Sequence, residues 1–161
     1  MMPKLRKFLA ATAFGALVLG AAGTGTVYGL MQRDTPIAID TAQSLMRTLS
    51  QRWRFADIAR DFQPMALKDL DTKSTQAALW SFRPLGGLVE VHDAALQHYA
   101  LDFDRDDGIV RRVQLGFVAR FENGEARITL TLVTARGVTK VQHLGIKPLR
   151  MPQQNQRRSI A

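Results

Sequence analysis

The spacing of apolar and polar residues changes twice along this chain. Residues 8–30 carry no charged side chain, and between residues 40 and 82 apolar residues recur every three to four positions. Beyond Gly87 apolar and polar residues alternate. A period near 3.6 is typical of a helix that buries one face, and a period of 2 is typical of a half-buried strand. The pattern therefore predicts an apolar helix, a helical region and an antiparallel sheet, in that order.

The first of these segments, Phe8 to Leu30, is long enough to cross a membrane. As a helix its 23 residues span about 34 Å, against a hydrocarbon core of about 30 Å. Lys4, Arg6 and Lys7 precede it, which orients the N-terminus towards the cytoplasm by the positive-inside rule. We expect a single-pass helix in the cytoplasmic (inner) membrane with a periplasmic C-terminal domain.

A cleavable secretory signal is the alternative interpretation of the same segment, because small residues cluster from Gly20 to Gly23. Both interpretations deliver the domain to the same side of the membrane. If the helix is retained, it presents glycines along its length: Gly15, Gly20, Gly25 and Gly29. Small residues let two helices approach closely in lipid, so we expect a helix–helix interface with other membrane-protein subunits.

Three helices are predicted in the helical region. The first has Asp40 as its N-cap, with apolar residues at helical spacing: Ala42, Leu45, Met46, Leu49 and Trp53. A short second helix covers residues 55–62 and is closed by Pro64. The third begins at Thr72 or Ser74 and ends near Pro84, before the turn at Gly86-Gly87.

The alternating region predicts strands that are joined by tight turns. The strands cover Leu88–Val91, Gln97–Phe103, Val113–Phe121, Ala126–Val133 and Val138–Ile146. Asn123-Gly124 and Arg136-Gly137 are hairpin signals, and Asp106-Asp107-Gly108 marks a solvated turn rather than a calcium loop. The fold class is α+β: an N-terminal membrane or signal helix, then two to three helices on an antiparallel sheet of about four strands. The predicted organisation is a basic tip and apolar helix at 1–31, a domain at 32–147, and a disordered basic tail at 148–161.

This order of elements resembles the nuclear transport factor 2-like (cystatin-like) superfamily, including small bacterial cell-envelope domains of unknown function. The resemblance covers Ala38 to Pro148 and rests on four segments: Leu45–Phe62, Ala78–Gly86, Phe121–Gly124 and Val141–Pro148. The sequence departs from the pattern where Val138 and Thr139 follow Gly137, since many such domains have a tryptophan there. The resemblance implies a cone with a curved sheet and a pocket. We expect that pocket at Trp80, Tyr99, Phe117 and Leu130.

Charge and residue types limit the chemistry of the domain. The net charge of +8 comes largely from the two ends, because removing six terminal bases from 22 leaves 16 against 14 acids. We therefore expect no nucleic-acid partner. The chain has no cysteine, which excludes disulfides, thiolate nucleophiles and cysteine-based zinc sites.

The histidines of the chain, His92, His98 and His143, have no metal-ligand spacing. Strand alternation places His98 and Asp102 on the face opposite Tyr99. We predict no catalytic residue, no metal and no cofactor. The basic residues Arg112, Arg120, Arg127 and Lys140 are interpreted as the solvated face of the sheet.

These observations favour a non-enzymatic, membrane-anchored periplasmic interaction module, acting as an accessory or assembly subunit of a larger membrane complex. Two alternatives remain open. The domain could bind a small apolar ligand in the cone pocket, or it could be an enzyme of the isomerase or hydratase kind. The second of these needs Tyr99 to converge with an acidic group or a histidine inside the pocket.

Overall fold

A computed structural model describes the backbone of residues 4–152 and the side chains of residues 25–152. Helix α1 covers Lys4–Arg52, and the chain divides into two units, one up to Pro36 and one from Ile37 onwards. Within the described residues, no helix combines the length and the apolar character that spanning a membrane requires. Most of Phe8–Leu30, including Gly15 and Gly20, lies outside the described side chains. The predicted membrane segment therefore stays a prediction.

The second unit begins inside α1, and this corrects the predicted N-cap. Asp40 lies within the helix rather than at its start, because α1 continues through Pro36. A proline removes one hydrogen bond of the helix, but the backbone on both sides of Pro36 stays helical. The amides that follow Asp40 thus already have helical partners and leave nothing for its carboxylate to cap.

The segment after α1 is more broken than the sequence pattern predicted. Residues 55–62 form two 3₁₀ turns, Phe55–Asp57 and Ala59–Asp61, instead of one helix. Pro64 does not close a helix but begins one, α2, which covers Pro64–Leu70. Proline suits the first helical position, where its missing N–H needs no partner.

Helix α3 covers Lys73–Ser81, and Thr72 is its N-cap, as predicted. The Thr72 hydroxyl accepts a hydrogen bond from the Thr75 amide at 3.2 Å. A further 3₁₀ turn, Arg83–Leu85, leads through Gly86 into the sheet. The predicted break between helices and strands at Gly86-Gly87 is confirmed.

Four antiparallel strands follow in the described chain, paired in their sequence order. They are β1 (Leu88–Asp104), β2 (Gly108–Phe121), β3 (Gly124–Ala135) and β4 (Val138–Arg150). Turns follow β1, β2 and β3 as predicted, but the first two lie one residue earlier, at residues 105–107 and 122–123, so Gly108 and Gly124 begin the next strands. The turn at Arg136-Gly137 is confirmed, and these two residues have positive φ, at 49° and 77°. The α+β class and the four-stranded sheet are therefore confirmed.

Several strand boundaries differ from the prediction, among them the start of β2, which is Gly108 rather than Val113. The two short strands predicted within residues 88–103 are one strand, β1, with irregular pairing between His92 and Ala95 and between Leu96 and His98. These bulges shift the alternation, which is why the pattern looked like two strands. At the other end, β4 continues to Arg150, so residues 148–150 belong to the sheet and not to a tail. Residues 153–161 of the predicted tail lie outside the described residues.

The core lies between one face of the sheet and the part of α1 that begins at Ile37. From α1 it takes Ala38, Ala42, Leu45, Met46 and Leu49, all buried. From β2 and β3 it takes the alternate residues Val113, Leu115, Phe117, Ala119, Phe121, Ala126, Ile128, Leu130 and Leu132. Trp53 closes the core beyond the end of α1, with its ring centroid 5.3 Å from that of Phe121.

Candidate functional site

The four residues predicted to line a pocket lie in three different environments. Phe117 and Leu130 are buried in the core between α1 and the sheet. Tyr99 packs against that core from β1, and Trp80 on α3 is 52% exposed. The two cavities described below are lined by other residues.

The predicted acid–base candidates lie on the outside of the sheet. His98 and Asp102 are exposed, and Asp102 forms an ion pair with Arg112 at 2.8 Å. Tyr99 packs towards the core instead, so strand alternation separates the phenol from these groups. Among the described residues no cluster of three histidine or acidic side chains could hold a metal ion.

The basic residues on the sheet also have partners. Arg120 forms an ion pair with Glu90 at 2.9 Å, and Arg112 forms the pair with Asp102 further along the same hairpin. Lys140 instead donates from Nζ to the carbonyl oxygen of Arg60 at 2.7 Å. Together with the exposed Arg127, these contacts are those of a solvated, charge-balanced face.

An apolar cavity of about 270 Å³ lies between α3, the 3₁₀ turns and β4. It is hereafter the apolar cleft, and its lining consists of Phe55, Ile58, Phe62, Leu70, Thr75, Ala78, Leu79, Phe82, Leu144 and Ile146. Of these described lining residues, nine are apolar and Thr75 is the polar exception. No ionisable side chain of the described chain lines the cleft.

The depth of the apolar cleft follows from the burial of its lining. Ile58, Phe62 and Leu79 are buried and form its inner wall, with the rings of Phe55 and Phe62 packed edge to face at 5.1 Å. Ala78 is exposed, which places it at the mouth. The hydroxyl of Thr75 lies 3.0 Å from that of Thr72 and is therefore tied to the start of α3.

Gln76 fixes the helix that forms one side of the cleft. Its side-chain oxygen accepts a hydrogen bond from the Phe55 amide at 3.2 Å, and its side-chain nitrogen donates to the Trp53 carbonyl at 3.3 Å. One side chain thus links α3 to the backbone that follows α1. On the opposite side, the Gln63 amide donates to the Val141 carbonyl at 2.9 Å and joins the turn region to β4.

A second cavity, of about 380 Å³, is polar and lies between α1 and the turn of β3 and β4. We name it the polar groove. It is lined by Asp40, Thr41, Ser44, Leu45, Thr48, Arg60, Asp61, Leu132, Thr139, Lys140 and Val141. Its two carboxylates face two basic groups, and one of these, Lys140, is held by the Arg60 carbonyl.

The apolar cleft was not predicted from the sequence, because the helices expected at residues 55–62 and after Thr72 or Ser74 were taken to cover the core. The sequence did contain a sign of it: the two 3₁₀ turns and β4 carry more apolar residues than the interface between α1 and the sheet can bury. These residues come together because the chain after Trp53 forms two 3₁₀ turns instead of a helix. The spacing of apolar residues does not predict those turns. Comparison of the chain with protein-family models, with curated proteins and with solved structures gave no match.

Proposed function

We propose that the chain is a membrane-anchored periplasmic module that captures a small apolar group in the apolar cleft. One observation carries this proposal: a cavity of about 270 Å³ whose described lining is apolar at nine of ten positions. Ligand sites in proteins are typically concave and mostly apolar, with few polar groups. Among the hypotheses for this chain, capture of an apolar ligand is the one that uses this cleft directly.

The size and lining of the cleft define the class of ligand. An apolar cavity of about 150 Å³ holds one benzene ring, so the cleft accommodates one or two rings or a short acyl chain. The ligand is uncharged where it enters, because burial of an unpaired charge costs far more than the cavity returns. An aromatic group buries about 150–250 Å², which contributes about 4–6 kcal/mol at 25 cal/mol per Å². We therefore expect a dissociation constant between about 1 mM and about 40 μM for a single ring.

The membrane anchor in this proposal is supported by the sequence. The stretch Phe8–Leu30 is uncharged, and basic residues precede it. The same features favour the inner membrane with the domain on the periplasmic side. The resemblance to the nuclear transport factor 2-like superfamily remains part of the proposal, because an open pocket in such a domain would suit ligand binding.

An accessory subunit of a membrane complex is the second candidate function. Gly25 and Gly29 are exposed on α1, and a Cβ atom placed at either would meet no described atom within 4 Å. This uncovered stretch of helix would let a partner helix approach closely. The isomerase or hydratase alternative has no comparable support, since Tyr99 does not line the apolar cleft.

Photolabelling with a small phenyl diazirine tests capture in the apolar cleft. The full chain is reconstituted in lipid vesicles and irradiated with the probe, and adducts are mapped by mass spectrometry. We expect adducts in residues 55–82 and 144–146, and competition by unlabelled indole. Labelling of the membrane segment provides an internal reference for the probe dose.

Two neighbouring alanines on α3 provide the variant and its matched control. Ala78→Phe places a ring at the mouth of the apolar cleft, whereas Ala77 is also exposed but does not line it. We expect Ala78→Phe to lower the adduct yield in the cleft at least fivefold and Ala77→Phe to leave it unchanged. Equal yields in the two variants would refute capture at this site.

A further inference from the structure

The hairpin of β1 and β2 extends further than the rest of the sheet. The pairing of β2 with β3 starts at Arg111 and Thr134, whereas the pairing of β1 with β2 continues to Asp104 and Gly108. Residues 101–110 therefore form a two-stranded projection with its turn at residues 105–107. We name this segment the hairpin tip.

The hairpin tip exposes large apolar side chains. Phe103 is 82% exposed and Ile109 is 63% exposed, and the two are direct cross-strand partners. Leu101, two positions before Phe103, shares the same face of β1 and is also exposed. Tyr99 on that face packs against the core. The face of β1 that packs on the core therefore stays apolar in the hairpin tip, where its side chains are exposed to solvent.

Contacts within the second unit place the tip at the end where that unit begins. Arg136, in the turn between β3 and β4, forms an ion pair with Asp107 at 3.3 Å and donates to the Asp106 carbonyl. Thr139, just after that turn, lines the polar groove together with Asp40 of α1. The first residues of the second unit and the hairpin tip therefore lie at one end of it.

The opposite end of the second unit is marked by the last residues of the helix. Trp53, beyond the C-terminus of α1, donates from its indole nitrogen to the Gly86 carbonyl at 3.2 Å. Val89, at the start of β1, is three residues after Gly86 and is 53% exposed. It therefore offers a comparison site on the same strand, far from the hairpin tip.

The short stretch of chain between Leu30 and Ile37 limits how far the second unit can lie from the apolar segment. The apolar segment ends at Leu30 and the second unit begins at Ile37. Even fully extended, these residues reach only about 25 Å. If Phe8–Leu30 spans the bilayer, the end of the unit that carries the hairpin tip starts close to the lipid headgroups.

Charge at the hairpin tip suits a bilayer surface of zwitterionic lipid. The four aspartates of residues 102–107 lie among four arginines: Arg105, Arg111, Arg112 and Arg136. Asp102 and Asp107 form ion pairs, and Asp104 accepts hydrogen bonds from the amides of its own turn. A segment with equal numbers of acidic and basic groups has no strong attraction to anionic lipid. It also does not oppose contact with zwitterionic headgroups.

We infer that the hairpin tip lies on the surface of the bilayer, with Phe103 and Ile109 among the lipid headgroups. This inference rests on the membrane anchor of the proposed function. Aromatic and aliphatic side chains gain free energy at that interface. The contact gives the domain a second attachment to the membrane and fixes which end faces the lipid.

Single-cysteine fluorescence tests the inference in the full chain, which has no cysteine of its own. An environment-sensitive nitrobenzoxadiazole label is attached at Phe103→Cys, at Ile109→Cys and at the control Val89→Cys. The proteins are reconstituted in phosphatidylcholine vesicles with and without a headgroup-linked nitroxide quencher. We expect at least threefold stronger quenching at positions 103 and 109 than at position 89, together with blue-shifted emission.

Sedimentation of the vesicles separates the two claims. If the chain remains with the vesicles but positions 103 and 109 are quenched no more than position 89, the inference is wrong and the anchor stands. If the chain does not remain with the vesicles, the anchor fails and the inference fails with it. Because all three positions are exposed, circular dichroism of the labelled variants is expected to match that of the unsubstituted chain.

Discussion

Removal of the Gln76 side-chain amide is expected to loosen α3 and with it one wall of the apolar cleft. Gln76 accepts from the Phe55 amide at 3.2 Å and donates to the Trp53 carbonyl at 3.3 Å. Gln76→Met keeps the length of the side chain and removes both hydrogen bonds. The substitution therefore isolates the polar contribution from packing.

The magnitude follows from the two backbone groups that lose their partner. Each buried group left without a hydrogen bond costs about 1–3 kcal/mol. Both bonds are only partly buried, so water replaces some of the loss. We expect the free energy of unfolding to fall by about 2–4 kcal/mol, a large part of the roughly 5–15 kcal/mol typical of a domain. Gln76→Glu keeps the acceptor and loses the donor, and we expect about half of that effect.

Urea unfolding of the full chain in lipid vesicles measures this difference, with tryptophan emission as the signal because Trp53 is buried. Gln97→Met is the matched control, since the exposed Gln97 side chain accepts a hydrogen bond from the Gln114 side chain, at 3.3 Å, rather than from a backbone group. We expect the control to change stability by less than about 0.5 kcal/mol. If Gln76→Met also stays within that limit, the reasoning that Gln76 fixes α3 is refuted.

Three further substitutions test other parts of the structure. Ser50→Ala leaves the Leu88 amide without the 2.9 Å bond to the Ser50 hydroxyl, and we expect a loss of about 1–3 kcal/mol in urea unfolding. Gly124→Ala brings a Cβ against the Arg150 carbonyl. We expect about 1–3 kcal/mol of destabilisation, and an unchanged urea midpoint would contradict this packing. Hydrogen bonds from its own turn lower the pKa of Asp104 from 3.8, so its ionised form stabilises the fold above that pH and the stabilisation is lost on acidification. Asp104→Asn should therefore flatten the pH dependence of stability below about pH 5, and parallel pH profiles would show that this carboxylate does not contribute.

Much of the fold could be predicted because local signals agreed with tertiary packing. The alternation in β2 and β3 is undisturbed by bulges, and each inward residue, from Val113 to Leu132, is buried as predicted. The turn at Arg136-Gly137 lies where the sequence predicts it, whereas the turn predicted at Asn123-Gly124 is displaced by one residue, to residues 122–123. Thr72 was one of two predicted starts of the third helix, with Ser74, and the Thr72 hydroxyl is the one that caps it.

The differences arise where backbone geometry overrides periodicity. Trp53 has a φ of 54°, which ends α1 without the glycine that commonly marks a left-handed residue. Asp93 likewise has a φ of 54° inside β1, where a bulge shifts the register. Aspartate adopts this conformation more readily than most residues, but a tryptophan at position 53 does not signal it. At Trp53 a tertiary contact accompanies it, the hydrogen bond from the indole to the Gly86 carbonyl.

The candidate site was less predictable than the fold because a cavity is what packing leaves unfilled. Phe117 and Leu130 were suitable pocket residues by type, but α1 covers them. The apolar cleft instead forms where two 3₁₀ turns and α3 meet β4, far apart in sequence. Its lining looks like ordinary core in the sequence, and only the structure shows that the space between these elements is open.

Methyl nuclear magnetic resonance tests capture of an apolar group most directly. The full chain, methyl-labelled at isoleucine and leucine and reconstituted in lipid nanodiscs, is titrated with indole. We predict intermolecular Overhauser effects from indole to the methyl groups of Ile58, Leu144 and Ile146, all of which line the apolar cleft. Effects confined to Ile109 at the hairpin tip, or none at any methyl group, would contradict the account.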